Sequence, residues 1–278
     1  MAPDYLRNAL LTSYMQAKLC SAVYGGRCEV AELAAELHCH FRWIEAGSNC
    51  AGVLIFDDHI HLSVCGTNDR YDWMQNFDTK PSHGMLLGAH RGFCHGAEEL
   101  RTSGQLSEIR RMVSGFPRRP LILGGHSAGG AIAQLLSLDS RLSPREVVTF
   151  GSPKVFTDTS SVVYKAYPWE CFRFVMPGDP VPYMPFDILA AIRKRPRYAH
   201  AEPAWVLRED GSIRTNETNW LRVTFNVWNF GVVSVPTLLR SKSWIAGKHA
   251  MSRYLAAISK GAEKYESCLL YTSPSPRD

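Results

Sequence analysis

No apolar run in this sequence is long enough to span a bilayer, which takes about 20 residues in a helix. The most apolar late stretch, Phe230–Leu239, is too short and is interrupted by Gly231 and Pro236. The opening MAPDYLRNALLTSYM carries an early aspartate and alternates polar with apolar residues. It therefore lacks the continuous apolar core of a secretory signal. No cysteine pair has zinc-site spacing. The seven cysteines before residue 268 (Cys20, Cys28, Cys39, Cys50, Cys65, Cys94 and Cys171) are odd in number and dispersed. In a chain of this size that pattern leads us to expect reduced thiols and a cytoplasmic setting, or one peripheral to an intracellular membrane. Internal repeats and low-complexity linkers are also missing. The net charge is +5, but no recognition motif accompanies the basic residues, so nucleic acid is not an expected partner. One basic cluster, Arg193, Lys194, Arg195 and Arg197, reads either as a solvated loop or as a contact for anionic lipid headgroups.

What is present suits a single globular α/β domain: 278 residues, 45% hydrophobic and 21% charged. We expect one domain over residues 1–267. The last eleven residues, CLLYTSPSPRD (Cys268–Asp278), resemble a translated sequencing adapter and are set aside as non-native.

Helical spacing of Leu6, Leu10, Tyr14, Ala17 and Val23 predicts a helix over Tyr5–Tyr24, stopped by Gly25-Gly26. Glu29–His38 reads as a second, short helix. Phe41–Ala46, Ala51–Phe56 and Ile60–Val64 read as antiparallel strands separated by Gly47-Ser48-Asn49 and Asp57-Asp58-His59. A loop over residues 68–90 leads to one long helix, Gly92–Val113. Strand Leu121–Leu123, helix Ala128–Leu138, and strands Glu146–Phe150 and Cys171–Met176 follow. Ala204–Arg208 and Leu221–Asn226 are further strand candidates, and Ser243–Ser259 a closing helix. Strand alternating with helix at this spacing predicts a mostly parallel central sheet with helices on both faces and antiparallel strands at its N-terminal edge.

Between the strand at Leu121 and the helix at Ala128 stands Gly125-His126-Ser127-Ala128-Gly129. This is the G-x-S-x-G nucleophile elbow in the context it requires. The tight turn lifts the Ser127 hydroxyl above the sheet, beside a helix N-terminus that favours developing negative charge. A serine needs a base to take its proton, and in this architecture the acid follows the serine and the histidine follows the acid. The acid candidates are Asp139, Asp158, Asp179, Asp187 and Asp210. Asp139 ends the elbow helix and points away. Asp179 lies in FVMPGDPVPYMP, in a proline-stiffened loop after a strand, where α/β sites collect their groups. Only His200 and His249 follow it, and the later one suits the base better. An imidazole acts as a base only when neutral, so hydrolysis is expected to fall as pH drops through roughly 6–7. The oxyanion of the attacked carbonyl is expected to meet the N–H of Ala128 and that of Thr67, at the strand-to-loop junction Val64–Thr67. In NDRYDWMQNF, the bulky Tyr71, Trp73, Met74 and Phe77 either form a lid, meet a lipid surface, or pack on the core. His38-Cys39-His40 lacks a second ligand cluster, and His59 and His61 read as hairpin residues. We expect no metal and no cofactor.

These stretches together resemble the class 3 lipases, the fungal triacylglycerol lipase-like family of α/β-hydrolases. The resemblance rests on VCGTND; DWMQNFD with AHRGFCHGAEEL; LILGGHSAGGAIAQLLSL; VVTFGSPKVF; FRFVMPGDPVPYMP; and the late GKHAMSRYL. It implies an α/β-hydrolase fold, a catalytic triad of Ser127, Asp179 and His249, and an oxyanion hole of Thr67 and Ala128. It also implies structural roles for His90 and His200. Cys65 stands where the family often has arginine, the lid segment is short, and residues 207–247 match nothing in the family pattern. The implied activity is hydrolysis of glycerolipid acyl esters through an acyl-enzyme, with a lipid ester as substrate and transient contact with a lipid–water interface. A phospholipase A1 or acyltransferase using the same triad, and an inactive lipid-binding protein on this fold, are the alternatives. Oligomeric state is not legible.

Overall fold

Successive side chains on a strand point to opposite faces of its sheet. On β4 (Leu121–His126), Leu121 and Leu123 are accordingly buried in one core and Ile122 in another. The computed structural model describes residues 3–66, 80–82, 88–115, 118–185, 197–216 and 247–270. Among these, eight strands form one sheet in chain order: β1 (His40–Ala46), β2 (Asn49–Ile55), β3 (Ile60–Val64), β4, β5 (Glu146–Phe150), β6 (Glu170–Val175), β7 (Ala204–Leu207) and β8 (Ile213–Asn216). The first three pair antiparallel. From β3 to β7 each neighbour is parallel, and β8 returns antiparallel to β7.

Helices cover both faces. On one, α3 (Arg91–Thr102), α4 (Gly104–Ser114) and α5 (Ala128–Leu136) bury Phe93, Leu100, Ile109 and Ile132 against Ile44, Val53, Leu62 and Leu123. On the other, α1 (Pro3–Gly25) and α7 (Met251–Leu270) set Leu10, Ala17, Tyr254 and Ile258 against Ile122, Val148, Phe150 and Phe174. Helix α2 (Arg27–Glu36) adds Val30 and Leu33 to a cluster with Leu19, Val23 and Leu54. Removing each large apolar side chain from water contributes about 1.5–3 kcal/mol before chain entropy is counted. The parallel strands are thereby fixed in register, with their C-terminal ends at one edge.

The expected helix Gly92–Val113 is two helices. Ser103 adopts an extended backbone (φ −61°, ψ 130°), ends α3, and caps α4 by accepting the Gln105 N–H at 3.2 Å. The signal was Thr102-Ser103-Gly104, a capping serine followed by glycine, which outweighs the continuous apolar periodicity. The closing helix begins at Met251 and runs to Leu270, not from 243 to 259. Two elements escaped the sequence reading. Helix α6 (Asp158–Lys165) starts from a capping box between Thr157 and Ser160, and β8 pairs along β7. The strand candidate Leu221–Asn226 lies outside the described residues, as does Cys268–Asp278 beyond Leu270.

His61, read as a hairpin residue, is in the core. Its Nδ1 donates to Gln16 Oε1 at 2.9 Å, and Gln16 in turn donates to the Leu62 carbonyl at 3.1 Å. Burial, with His59 and Arg145 nearby, pushes the ring down to about 3. The unfolded chain therefore takes up a proton near pH 6.5 that the folded chain refuses until about pH 3. Folding stability should fall with acidification across that window, by about 1.4 kcal/mol per pH unit from this residue. Urea titrations from pH 7 to 4 check this: His61→Gln should flatten the slope by one proton, and an unchanged slope would refute the assignment.

Candidate active site

The elbow depends on two backbones meeting where side chains would stand. A Cβ on Gly125 would lie 2.5 Å from the carbonyl carbon of Gly129, and one on Gly129 only 2.3 Å from the Val64 carbonyl oxygen. Neither neighbour is a side-chain tip that could swing away. Gly129→Ala should therefore cost roughly 1–3 kcal/mol or more by forcing α5 off the sheet. A clear drop in thermal midpoint is expected, with Gly104→Ala, which meets nothing within 4 Å, as the neutral control. Equal melting of the two variants would show that the elbow is not so tight.

Between the glycines, Ser127 takes the left-handed φ of 58° that a non-glycine residue rarely adopts. Backbone bonds hold it there. Its N–H donates to the Phe150 carbonyl at 3.0 Å, and its own carbonyl accepts from Gly130 N–H at 3.0 Å. Ala128 opens α5, so its N–H lies outside the helical ladder and is free to face an anion.

Three adjacent strands end together here: His126 pairs with Phe150, and Phe150 with Phe174. Past the end of β6, Asp179 is 1% exposed. Its Oδ1 accepts the Val181 N–H at 2.9 Å. Its Oδ2 accepts the Tyr254 hydroxyl at 2.6 Å and His249 Nδ1 at 2.8 Å. The carboxylate is thus held from three sides. Burial first, and the adjacent Asp179 second, raise the Tyr254 hydroxyl well above its ordinary value, so it stays a donor.

His249 lies just before α7, not in it, and is 6% exposed. Because Nδ1 donates to a carboxylate, Nε2 carries the lone pair. Nε2 is buried and has no hydrogen-bond partner among the described residues. A Cβ on Gly151 would sit 2.9 Å from both Asp179 Oδ2 and His249 Cε1, and Gly151 itself has φ 58°. Only glycine fits beneath the imidazole–carboxylate pair while turning the chain out of β5.

Sequence reasoning missed how the ring is braced. His126 stacks on His249 with ring centroids 4.4 Å apart. His126 Nε2 donates to the His249 carbonyl at 2.9 Å, and Nδ1 accepts the Tyr24 hydroxyl at 2.6 Å. Nothing in the spacing of Tyr24 or Tyr254 signals this, because both arrive from helices far away in sequence.

The other candidates are engaged elsewhere. Asp139 ion-pairs with Arg110, and with Arg141 at 3.0 Å. His200 Nε2 donates to the Pro182 carbonyl at 2.6 Å; burial, then Arg173, hold the ring well below its ordinary value. Asp210 serves an exposed turn, bonding Ser212. Asp187, Thr67 and the lid residues Tyr71, Trp73, Met74 and Phe77 lie outside the described residues, as do Arg193, Lys194 and Arg195.

Residues 61–189 match the lipase (class 3) family. The match covers less than half of the chain. It contains Ser127 and Asp179, while His249 lies beyond it. A secreted mono- and diacylglycerol lipase of Fusarium solani is 26% identical over 144 residues, which are 50% of this chain and 43% of that protein. A Rhizopus niveus lipase is 30% identical over 45% of this chain and 34% of its own length. The chain thus spans less than half the length of the curated relatives it matches. The triacylglyceride lipase of Rhizomucor miehei superposes with a TM-score of 0.60 over 94% of this chain and 97% of its own, at 18% identity. The fold is that of the α/β-hydrolases, and the matched residues run from β3 to β6 and include the elbow.

Proposed function

We propose that this protein hydrolyses acyl esters of glycerolipids by a Ser127–His249–Asp179 triad acting through an acyl-enzyme. The observation that carries the reading is the imidazole of His249. One ring nitrogen is committed to a buried carboxylate, and the other is buried, without a partner among the described residues, and next to the elbow. A buried polar atom left without a partner costs free energy, and in a serine hydrolase that nitrogen has one, the nucleophile's proton.

In the proposed sequence, Ser127 Oγ attacks the ester carbonyl as His249 Nε2 takes its proton. Asp179 holds the ring in the tautomer that leaves Nε2 free and stabilises the imidazolium that forms. Oxyanion charge falls on the Ala128 N–H and, in our reading, on Thr67. The imidazolium then protonates the departing alcohol, and water repeats the cycle on the acyl-enzyme. The substrate class is supported by the relatives, described as a mono- and diacylglycerol lipase and a triacylglyceride lipase. Among the described residues no helix is long and apolar enough to cross a membrane. A lipid substrate would then be met from the water side of its surface, with Tyr71, Trp73, Met74 and Phe77 as the proposed contact.

A fluorophosphonate probe should label wild type at Ser127. Mono-, di- and triacylglycerol emulsions, phospholipid vesicles and p-nitrophenyl esters then sort the substrate. Release of fatty acid from acylglycerols supports the proposal. Labelling with turnover of phospholipid alone would favour the phospholipase reading, and absence of labelling in folded protein would leave a lipid-binding protein.

A further inference from the structure

Cys50 and Cys65 take no part in the proposed chemistry, yet the sheet sets them face to face. Cys50 is the second residue of β2, and Cys65 follows directly on β3. The register Ala51 opposite Val64 continues by one step to this pair, and the Cys65 N–H donates to the Cys50 carbonyl at 2.9 Å. Residues opposite one another in an antiparallel pair project to the same face. A hydrogen-bonded pair holds its Cα atoms about 5.5 Å apart, within the roughly 4.4–6.8 Å that a disulfide spans. Cys65 belongs to the cluster containing Leu19, Val23 and Val30, and Cys50 packs against it. Both are thiols in this structure.

We propose that Cys50 and Cys65 form a redox modification site, a dithiol that hydrogen peroxide closes to a cross-strand disulfide. Cys50 is half-buried and Cys65 buried, so peroxide reaches Cys50 first. The Cys50 thiolate attacks a peroxide oxygen, breaking the O–O bond. This gives a sulfenic acid on Cys50 and hydroxide, which takes up a proton to become water. The Cys65 thiolate then attacks the Cys50 sulfur, forming the S–S bond and expelling the sulfenic oxygen as a second water. Two thiols and one peroxide become one disulfide and two waters. The neighbouring Cys65 side chain, working against burial, holds Cys50 below the ordinary thiol range, which favours its thiolate as the first nucleophile.

The other thiols are placed differently. Cys39 precedes His40, which pairs with Ile55, so it lies at the opposite end of the hairpin from Cys50, the partner of Glu45. The Cys20 sulfur accepts the Ser63 hydroxyl at 3.1 Å, and burial pushes its thiol up to about 12. The bond would clamp the end of β3, whose Cys65 carbonyl lies 2.9 Å from the position of a Cβ on Gly129. The open chain gains entropy on unfolding that a closed loop cannot, so oxidised protein should melt higher.

The test treats the full-length folded protein with hydrogen peroxide, blocks remaining thiols with iodoacetamide, and reads intact mass and crosslinked peptides without reduction. Expected are the loss of two hydrogens, a single crosslink joining the peptides of Cys50 and Cys65, and a raised thermal midpoint that dithiothreitol reverses. C50S and C65S, each checked for native circular dichroism and melting, should lose the crosslink, and C39S should keep it. A fully alkylatable Cys50 and Cys65 after peroxide, or a crosslink that maps to Cys39 or survives in C50S, overturns the proposal. Mass is the readout, so a failure here leaves the hydrolase reading untouched, and the reverse holds as well.

Discussion

Replacing Ser127 by alanine is expected to lower ester hydrolysis on the order of 10⁶-fold while leaving the protein folded. Losses of this size follow when the nucleophile of a triad is removed, because attack, acylation and deacylation all go with it. What survives is the binding and oxyanion contribution, about 10³–10⁴ over water. The fold should tolerate the change. The bonds that hold Ser127 in place are made by its backbone, through the Phe150 carbonyl and the Gly130 N–H, and alanine keeps both. The strained φ of 58° is no worse for alanine than for serine by more than a small margin. Initial rates on a soluble p-nitrophenyl ester, with circular dichroism alongside, check the result. Activity within tenfold of wild type in the folded variant would remove Ser127 from the chemistry.

Asp179→Asn is expected to reduce kcat by about 10⁴-fold at unchanged shape. The carboxylate accepts from three donors: the Val181 N–H, the Tyr254 hydroxyl and His249 Nδ1. An amide has one accepting atom. If its oxygen stays with Val181, its NH₂ faces His249 and forces the ring to accept at Nδ1. The ring proton then moves to Nε2, which points its hydrogen at the serine and can no longer take one. If the amide turns over, a backbone N–H and a buried NH₂ lose their partners, at about 1–3 kcal/mol each. The first outcome disables the base; the second keeps its tautomer but costs stability and leaves a neutral amide that no longer stabilises the imidazolium. The variant should keep its fluorophosphonate site but label far more slowly. Labelling at the wild-type rate would move the acid's role away from Asp179.

Most of the architecture could be read in the sequence because the signals are local. Strands Ile60–Val64 and Glu146–Phe150 have the predicted bounds. Their apolar residues and flanking turns need no knowledge of the rest of the chain. The elbow was legible for the same reason, since Gly125 and Gly129 record a close approach within a five-residue span. Asp179 and His249 were legible only through the chain order of an architecture already inferred from Ser127. The geometry then brings those two together at 2.8 Å. What could not be read is what crosses the fold. Tyr24 comes from α1 and Tyr254 from α7, and both reach the site only because those helices pack on one face of the sheet. The break at Ser103 failed for a different reason: apolar periodicity continues through it, and a capping side chain decides against continuity. His61 failed because a polar residue in a strand next to a turn reads as exposed, while Gln16, 45 residues earlier, gives it a buried partner.

The packing of α1 against α7 sets a timetable for synthesis. Leu10 and Ala17 of α1 share a core with Tyr254 and Ile258 of α7, so α1 completes its packing only after α7 has been made. At roughly 5–20 residues per second, the serine leaves the ribosome on the order of ten seconds before the imidazole. Throughout that interval the proposed nucleophile has no proposed base, so on this reading hydrolysis waits for α7 to dock.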